Sequence, residues 1–115
     1  MDCLNRINVN LIKIASFDLT NHILLNKIAK TQKTIVISTG MSSLREINEA
    51  YSILSKNTKK IAILHCISAY PTKETDANLN AIIELGKEFQ CIIGQSDHTN
   101  DIKIAFLAVA AGAQV

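Results

Sequence analysis

Four strings of polar, chemically active residues lie where short apolar runs rich in β-branched side chains come to an end. The strings are Lys13–Asp18, Ser38–Gly40, His65–Pro71 and Ser96–Thr99. A lysine supplies positive charge and hydroxyl groups donate hydrogen bonds, and together they suit a phosphate or a carboxylate. The pattern therefore predicts one site for an anionic substrate. The residues expected to bind that substrate are Lys13, Ser16, Ser38, Thr39, Ser68 and Ser96.

The last of these strings, Ser96-Asp97-His98-Thr99, also suggests a metal. Four consecutive polar residues between a strand and a helix indicate a metal ligand or a proton carrier. His98 offers an imidazole nitrogen to a divalent cation, and Asp97 is a candidate for orienting the ring. One histidine does not complete a metal site, so the site remains incomplete on these residues alone.

Each string also has a purely structural interpretation when it is taken singly. Lys13 can be a rim lysine paired with Asp18, and Ser38–Gly40 can be a turn that enters a helix. His65 lies inside an apolar run, which favours a buried histidine with its hydrogen bonds satisfied. Because side chains alternate along a strand, Lys13 and Ser16 are expected on opposite faces. The recurrence of polar groups at four successive strand ends outweighs these interpretations.

The elements that must position these groups alternate between strands and helices. Apolar runs predict strands over Leu11–Ala15, Thr34–Ile37, Ile61–Cys66 and Cys91–Gly94, with a fifth beginning at Ala113–Val115. Helical spacing of apolar residues predicts helices near Asn21–Thr31, Ser43–Lys56, Asn78–Phe89 and Asp101–Ala111. This order is typical of an α/β fold with a parallel sheet and right-handed crossovers. Both an open doubly wound sheet and half of a (β/α)8 barrel fit it, and the lack of GxGxxG and GxxxxGK[ST] motifs disfavours a nucleotide-binding open sheet.

Two helices carry more detailed signals. The second opens with Ser43-Leu-Arg-Glu46, which fits a capping box. The fourth is expected to present one apolar face, made of Ile104, Leu107, Ala108 and Ala111.

Composition restricts the class of protein. The chain has 115 residues, enough for one domain, and its net charge of +2 comes from interspersed acids and bases, which predicts no nucleic acid and no membrane as partner. Cys3, Cys66 and Cys91 match neither a disulfide framework nor a zinc motif, and Cys66 and Cys91 are best interpreted as small buried apolar residues. The apolar stretch Ile104–Gly112 is too short to span a bilayer. A soluble protein of the reducing cytoplasm is expected.

Several motifs, in this order and at these separations, resemble those of the N-acetylneuraminate (sialic acid) synthase family, which includes the pseudaminic and legionaminic acid synthases. They are Lys13-Ile-Ala-Ser-Phe-Asp18, Ile37-Ser-Thr-Gly-Met41, Leu64-His-Cys-Ile-Ser-Ala-Tyr-Pro71, Asp76-Ala-Asn-Leu79 and Gly94-Gln-Ser-Asp-His-Thr99. The resemblance covers essentially the whole chain. It implies a partial (β/α)8 TIM barrel over residues 1–115, containing about strands four to seven and the start of the eighth.

The resemblance also implies a reaction. Members of the family condense phosphoenolpyruvate with an N-acetylated hexosamine such as N-acetylmannosamine, release phosphate and work as homodimers. It implies catalytic roles for Lys13 and Asp18, although many members carry Glu where this chain has Asp18. It implies that phosphoenolpyruvate is held by Lys13, Ser16, Ser38, Ser68, Tyr70 and Ser96.

His98 matches one of two family histidines that hold a divalent metal, usually Mn²⁺, with Mg²⁺ and Co²⁺ as alternatives. The other lies on the eighth strand, beyond Val115. Residues 1–8 read as the end of a helix and residues 113–115 as a strand cut short, so the sequence looks like a fragment that is inactive by itself. Two further interpretations remain open: an inactive remnant or binding module of the same fold, and a Schiff-base aldolase with Lys13 as nucleophile.

Overall fold

The structure is a computed structural model that describes residue 6 and residues 8–115. Its strands are β1 (Leu11–Ile14), β2 (Thr34–Ser38), β3 (Ile61–Cys66) and β4 (Ile92–Ser96). Its helices are α1 (His22–Ala29), α2 (Leu44–Leu54), α3 (Asn80–Glu88) and α4 (Ile102–Ala110), with short 3-10 turns at Ser16–Asp18 and Glu74–Asp76. The alternation predicted from sequence is therefore confirmed. The helix end predicted over residues 1–8 lies largely outside the described residues, as does Cys3.

The four strands form one parallel sheet in the order β1-β2-β3-β4. Every strand thus pairs with the next strand in sequence, and the described part of the sheet contains no reversal of strand order. A doubly wound sheet places its ligand where the order reverses. In this sheet each successive strand is instead added at the same edge, and one helix follows each strand.

One face of the sheet carries the hydrophobic core. Neighbouring strands align isoleucines across this face, and β-branched side chains pack well on a pleated surface. The rows are Ile12–Ile35–Ile61 and Ile14–Ile37–Ile63–Ile93. Buried residues from all four helices join the same cluster, among them Leu25, Ala50, Ile82 and Ala108. The helices therefore cover this face of the sheet.

The opposite face carries Lys13, Ser38 and Ser96. Its rows run Lys13–Val36–Ala62–Ile92, then Ser38–Leu64–Gly94, and finally Cys66–Ser96 toward the carboxyl ends of the strands. Near the other end of the strands this face is more open, with Leu11 49% and Ile92 50% exposed. The strand register therefore places Lys13, Ser38 and Ser96 on the same face of the sheet, beside the apolar side chains of that face.

Three predictions of the elements need adjustment. Strand β4 runs on to Ser96, because Gly94 and Gln95 keep pairing with β3 through Leu64 and His65. Residues 113–115 are not a regular strand, although the amide of Gln114 donates to Ile93 O (2.8 Å) and the Val115 carbonyl accepts from Gln95 N (2.8 Å).

Helix α4 also differs from its predicted apolar face. Ile104 and Ala108 are buried as expected, but Leu107 is 52% exposed. None of the helices in the described part of the chain has the length and apolar character needed to cross a membrane.

The capping box gives a stability prediction. Replacing Ser43 by Ala is expected to lower the free energy of unfolding by about 1 kcal/mol, because the Ser43 hydroxyl caps the amide of Glu46. Hydrogen bonds from Ser43 hold the pKa of Glu46 below its ordinary value of 4.5. The contribution of the carboxylate is therefore complete above pH 4.5 and is lost as the pH falls through the lower folded pKa.

Urea denaturation of the wild type and of Ser43→Ala measures this difference. The difference in unfolding free energy should be clear at neutral pH and should narrow as the pH falls below 4.5. Ser52→Ala, at an exposed position inside α2, is the matched control. A difference that grows as the pH falls would contradict the assignment.

Candidate functional site

A pocket of about 240 Å³ opens where the four strands end. It brings together seven of the eight site residues that the family resemblance implied: Lys13, Ser16, Ser38, Ser68, Tyr70, Ser96 and His98. Each of the four strands contributes to it, either from its last residues or from the loop that follows. Because the strands are parallel, their carboxyl ends meet at one edge, and the four polar strings of the sequence converge there.

Ser16 reaches the pocket by a route that strand alternation does not predict. The sequence placed it on the face opposite Lys13, but β1 ends at Ile14 and the 3-10 turn Ser16–Asp18 redirects the chain. Ser16 therefore lines the same pocket as Lys13. Its hydroxyl oxygen accepts a hydrogen bond from the amide of Gly40 (2.9 Å) and lies 3.1 Å from the Cys66 sulfur.

Ser38 presents a buried hydroxyl to the pocket. The residue is only 3% exposed, and its oxygen finds no hydrogen-bond partner among the described residues. A buried polar group without a partner costs about 1–3 kcal/mol. The hydroxyl lines the pocket, so a ligand bound there can satisfy it.

The protonation of the His98 ring follows from its neighbours. Nδ1 lies 2.8 Å from the carbonyl oxygen of Ile67, which can only accept, so Nδ1 carries the proton. Nε2 then holds a lone pair and accepts from the hydroxyl of Ser96 at 3.3 Å. The ring also stacks on Tyr70, with centroids 4.2 Å apart. The nitrogen that lies beside Ser96 in the pocket is therefore the one able to bind a cation.

The electrostatic character of the pocket is positive. Lys13 is the single lysine or arginine among the described residues that line it, and no aspartate or glutamate lines it. The ion pair between Lys13 and Asp18 considered from sequence does not form. Among the described residues, no carboxylate lies within 4.0 Å of the Lys13 amine. A cation surrounded by hydroxyl donors suits an anionic ligand.

Three residues considered from sequence do not line the pocket: Asp18, Thr39 and Asp97. Asp18, assigned a catalytic role, lies half-buried at the end of the 3-10 turn and does not line the pocket. Thr39 uses its hydroxyl on the carbonyl of Leu64 (3.1 Å) and so extends the contact between β2 and β3.

Asp97 does not orient His98, since its carboxylate accepts from the amide (3.0 Å) and hydroxyl (3.1 Å) of Thr99. The carbonyl of Ile67 takes that role, because Nδ1 of His98 donates to it.

The structural interpretation of His65 is confirmed. Its Nε2 lies 2.8 Å from the carbonyl of Ala77, and the residue is 6% exposed on the helix-covered face. It links the end of β3 to the 3-10 turn Glu74–Asp76 and is not part of the pocket.

Sequence reasoning missed several pocket residues. Phe17 and Met41 line its rim and are 73% and 62% exposed, and Cys66 lines it beneath Ser16. Cys66 directly precedes the Ile67–Pro71 loop, which carries polar residues, and this position could have indicated a role in the pocket. A lone buried cysteine, however, usually behaves as a small apolar core residue. Gly40 was noted only as a turn residue, whereas its amide binds Ser16.

Gly40 leads to a second prediction. A Cβ at this position would collide with the Ser68 hydroxyl and would lie 2.6 Å from the Cys66 sulfur. Gly40→Ala is therefore expected to displace both residues and to weaken anion binding at the pocket by about tenfold or more, the scale of a lost hydrogen bond to a charged group. Titration calorimetry with phosphoenolpyruvate as the anion measures the effect.

Gly86 provides the control. It lies inside α3, and nothing stands within 4 Å of an added Cβ. Gly86→Ala should leave binding unchanged and stabilise the helix by about 0.8 kcal/mol. Equal affinities of Gly40→Ala and the wild type for phosphoenolpyruvate would rule out the close packing of Gly40 against Ser68 and Cys66.

The sequence was compared with known proteins. The profile of the NeuB family matches residues 1–115, the whole chain. The chain belongs to the NeuB family. The predicted relationship to sialic, pseudaminic and legionaminic acid synthases is thereby confirmed.

Relatives within the NeuB family share close similarity with the chain. An N,N'-diacetyllegionaminic acid synthase of Campylobacter jejuni is 44% identical over 118 residues, which cover 100% of this chain and 35% of that protein. An uncharacterised protein of Methanocaldococcus jannaschii is 50% identical over 116 residues, covering 100% of this chain and 34% of its own length. The chain thus spans about a third of the curated relatives it matches.

A solved structure agrees with the fold. The N-acetylneuraminic acid (sialic acid) synthetase of Leptospira borgpetersenii, in complex with citrate, superposes with a TM-score of 0.94 at 42% identity. The match covers 98% of this chain and 40% of that one. The parallel α/β arrangement of this NeuB-family chain is therefore that of a sialic acid synthetase.

Proposed function

We propose that the protein is a sugar-acid synthase that condenses phosphoenolpyruvate with an N-acetylated amino sugar to give a sialic acid-type product and phosphate. The convergence of Lys13 with five hydroxyl side chains in a pocket whose described lining residues include no carboxylate carries this proposal. Phosphoenolpyruvate bears a phosphate and a carboxylate, and both need positive charge and hydrogen-bond donors. The names of the relatives support the class of product.

We infer that the sheet is a segment of a (β/α)8 barrel, strands four to seven, in a synthase catalytic domain. Two observations support this. In the part of the chain that the structure describes, the helices cover one face of the sheet, as in a barrel wall, and the strands follow one another in sequence order. The other face, with Leu11 and Ile92 half-exposed, would then point to the barrel interior.

The pocket residues can perform two tasks in this reaction. Lys13 would neutralise charge on phosphoenolpyruvate, while Ser16 and Ser38 would donate hydrogen bonds to its oxygens. Held in this way, the enol carbon of phosphoenolpyruvate would attack the aldehyde carbon of the open sugar and form the new carbon–carbon bond. Water would add to the resulting cationic carbon, and the tetrahedral intermediate would lose phosphate. The donors would stabilise negative charge throughout.

We propose that a divalent cation binds in the pocket at His98. In the neutral ring Nε2 holds the lone pair and lies beside Ser96, whereas no group of three or more metal-binding side chains occurs in the described ranges. His98 would therefore supply one ligand, and we propose Mn²⁺ with Mg²⁺ or Co²⁺ as alternatives. Bound there, the cation would act as a Lewis acid on the sugar aldehyde. The catalytic role of Asp18, which lies outside the pocket, stays a prediction, as do the homodimer and the cytoplasmic location.

The test is phosphate release by the intact protein. With Mn²⁺, phosphoenolpyruvate and N-acetylmannosamine or a related N-acetylated hexosamine, the protein should release one phosphate for each sugar acid formed, detected by mass spectrometry. Phosphate release without a new carbon–carbon bond would reduce the activity to hydrolysis and would exclude the synthase. The isolated 115-residue chain is expected to be inactive in the same assay.

A further inference from the structure

We infer that Cys66 is a positioning residue that keeps the hydroxyl proton of Ser16 directed at the anionic substrate. The inference rests on the proposed function, because it concerns how that pocket binds phosphoenolpyruvate. Cys66 is 4% exposed and lines the pocket together with Ser16. The thiol acts through Ser16 and need not touch the substrate itself.

The hydrogen bonds at the Ser16 oxygen define this role. A hydroxyl has one proton to donate and two lone pairs that accept. The amide of Gly40 donates to one lone pair at 2.9 Å, and the Cys66 sulfur lies 3.1 Å away. If the thiol donates to the second lone pair, the Ser16 proton is left to point into the pocket. If the Ser16 proton goes to sulfur instead, it is lost to the ligand.

An anion in the pocket selects the first arrangement. Hydrogen bonds to a charged acceptor are roughly twice as strong as neutral ones, and a thioether or thiol sulfur is a weak acceptor. The hydrogen bond of the Ser16 hydroxyl is therefore stronger when it is donated to the anion than when it is donated to sulfur. The Cys66 thiol then donates its own proton to the Ser16 oxygen. Because sulfur is a weak acceptor, giving up the hydrogen bond to it has a small free-energy cost. A serine at this position would accept the Ser16 proton more strongly, so a cysteine suits the position better.

Two further observations connect this pair to a ligand. The hydroxyl of Ser38, 3% exposed and without a partner among the described residues, lines the same pocket. Gly40 has no Cβ, and one built there would lie 2.6 Å from the Cys66 sulfur. The local structure thus leaves room for the thiol beside a pocket whose buried donors require an acceptor.

Phosphoenolpyruvate binding to the intact protein tests the inference by titration calorimetry. Cys66→Ala removes the donor and should raise Kd about tenfold, the scale of one hydrogen bond to a charged group. Cys66→Ser keeps a donor but competes for the proton, so its Kd should rise about threefold at most. Cys91→Ala, a half-buried thiol outside this pocket, is the matched control and should match the wild type.

A double-mutant cycle separates positioning from packing. In a Ser16→Ala background, Cys66→Ala should cause almost no further loss, because the proton that Cys66 directs is gone. In steady-state assays Cys66→Ala should raise KM for phosphoenolpyruvate and leave KM for the sugar unchanged, whereas a distorted pocket would raise both.

Three results would overturn the inference: a Kd for Cys66→Ala within twofold of the wild type, an equal loss in both backgrounds, or weaker binding by Cys66→Ser than by Cys66→Ala. Circular dichroism confirms that each variant is folded, and Cys66→Ser maintains the test if Cys66→Ala does not fold. Absence of phosphoenolpyruvate binding by the wild type would instead refute the proposed function, and this inference with it.

Discussion

Replacing Lys13 by Met in the intact protein is expected to lower kcat/KM for phosphoenolpyruvate roughly a hundred- to a thousandfold. Lys13 is the single lysine or arginine among the described residues that line the pocket, and no carboxylate lies within ion-pair distance of it in that part of the chain. Its charge is therefore available to the ligand. In other enzymes, removing one preorganised group that stabilises charge in the transition state lowers the rate by about this factor.

The loss should fall mainly on binding and on the addition step. Lys13→Arg keeps the charge but spreads it over a larger planar group, so partial activity is expected. Lys27→Met, which removes an exposed lysine on α1, is the matched control and should leave the rate unchanged. Full activity of Lys13→Met would contradict the assignment of the anion site.

Borohydride trapping at Lys13 separates the synthase from a Schiff-base aldolase. An aldolase would form a covalent imine at Lys13 with a keto acid, and borohydride would trap it as a stable amine. The synthase proposal predicts no such adduct, because Lys13 binds the anion electrostatically. Mass spectrometry after borohydride treatment with pyruvate distinguishes the two. A Lys13 adduct would favour the aldolase.

Replacing His98 by Ala is expected to abolish detectable Mn²⁺ binding at the pocket and to lower kcat on the order of a thousandfold. The lone pair of Nε2 is available because Nδ1 donates to the carbonyl of Ile67 at 2.8 Å, which fixes the tautomer. A Lewis acid at a carbonyl contributes several kcal/mol to the stabilisation of the transition state. Electron paramagnetic resonance of free Mn²⁺ measures binding separately from activity.

Phosphoenolpyruvate affinity gives a second readout for His98→Ala. The cation of the anion site is Lys13, so calorimetry without metal should show a change in Kd of threefold or less. His22→Ala, an exposed histidine at the start of α1, is the matched control for both readouts. Normal Mn²⁺ binding by His98→Ala would exclude His98 as a ligand and place the metal elsewhere.

The sequence determined the order and type of the elements, because these depend on patterns within a few residues. Apolar runs and helical spacing predicted all four strands and all four helices of the described chain. The Ser43–Glu46 box formed as predicted, since both partners lie within one helical turn. The sequence also indicated which edge of the sheet is functional, because parallel strands must bring their polar ends together.

The tertiary structure decided which of these polar groups face the pocket and which contacts orient them. Ser16 enters the pocket through a 3-10 turn and contacts Cys66, fifty residues away in sequence. His98 is oriented by Ile67, thirty-one residues away, whereas its neighbour Asp97 binds Thr99. These contacts depend on the register between the strands of the sheet and on the loops that follow the strands. A local sequence pattern carries no information about that register, so these contacts had to be observed in the folded chain.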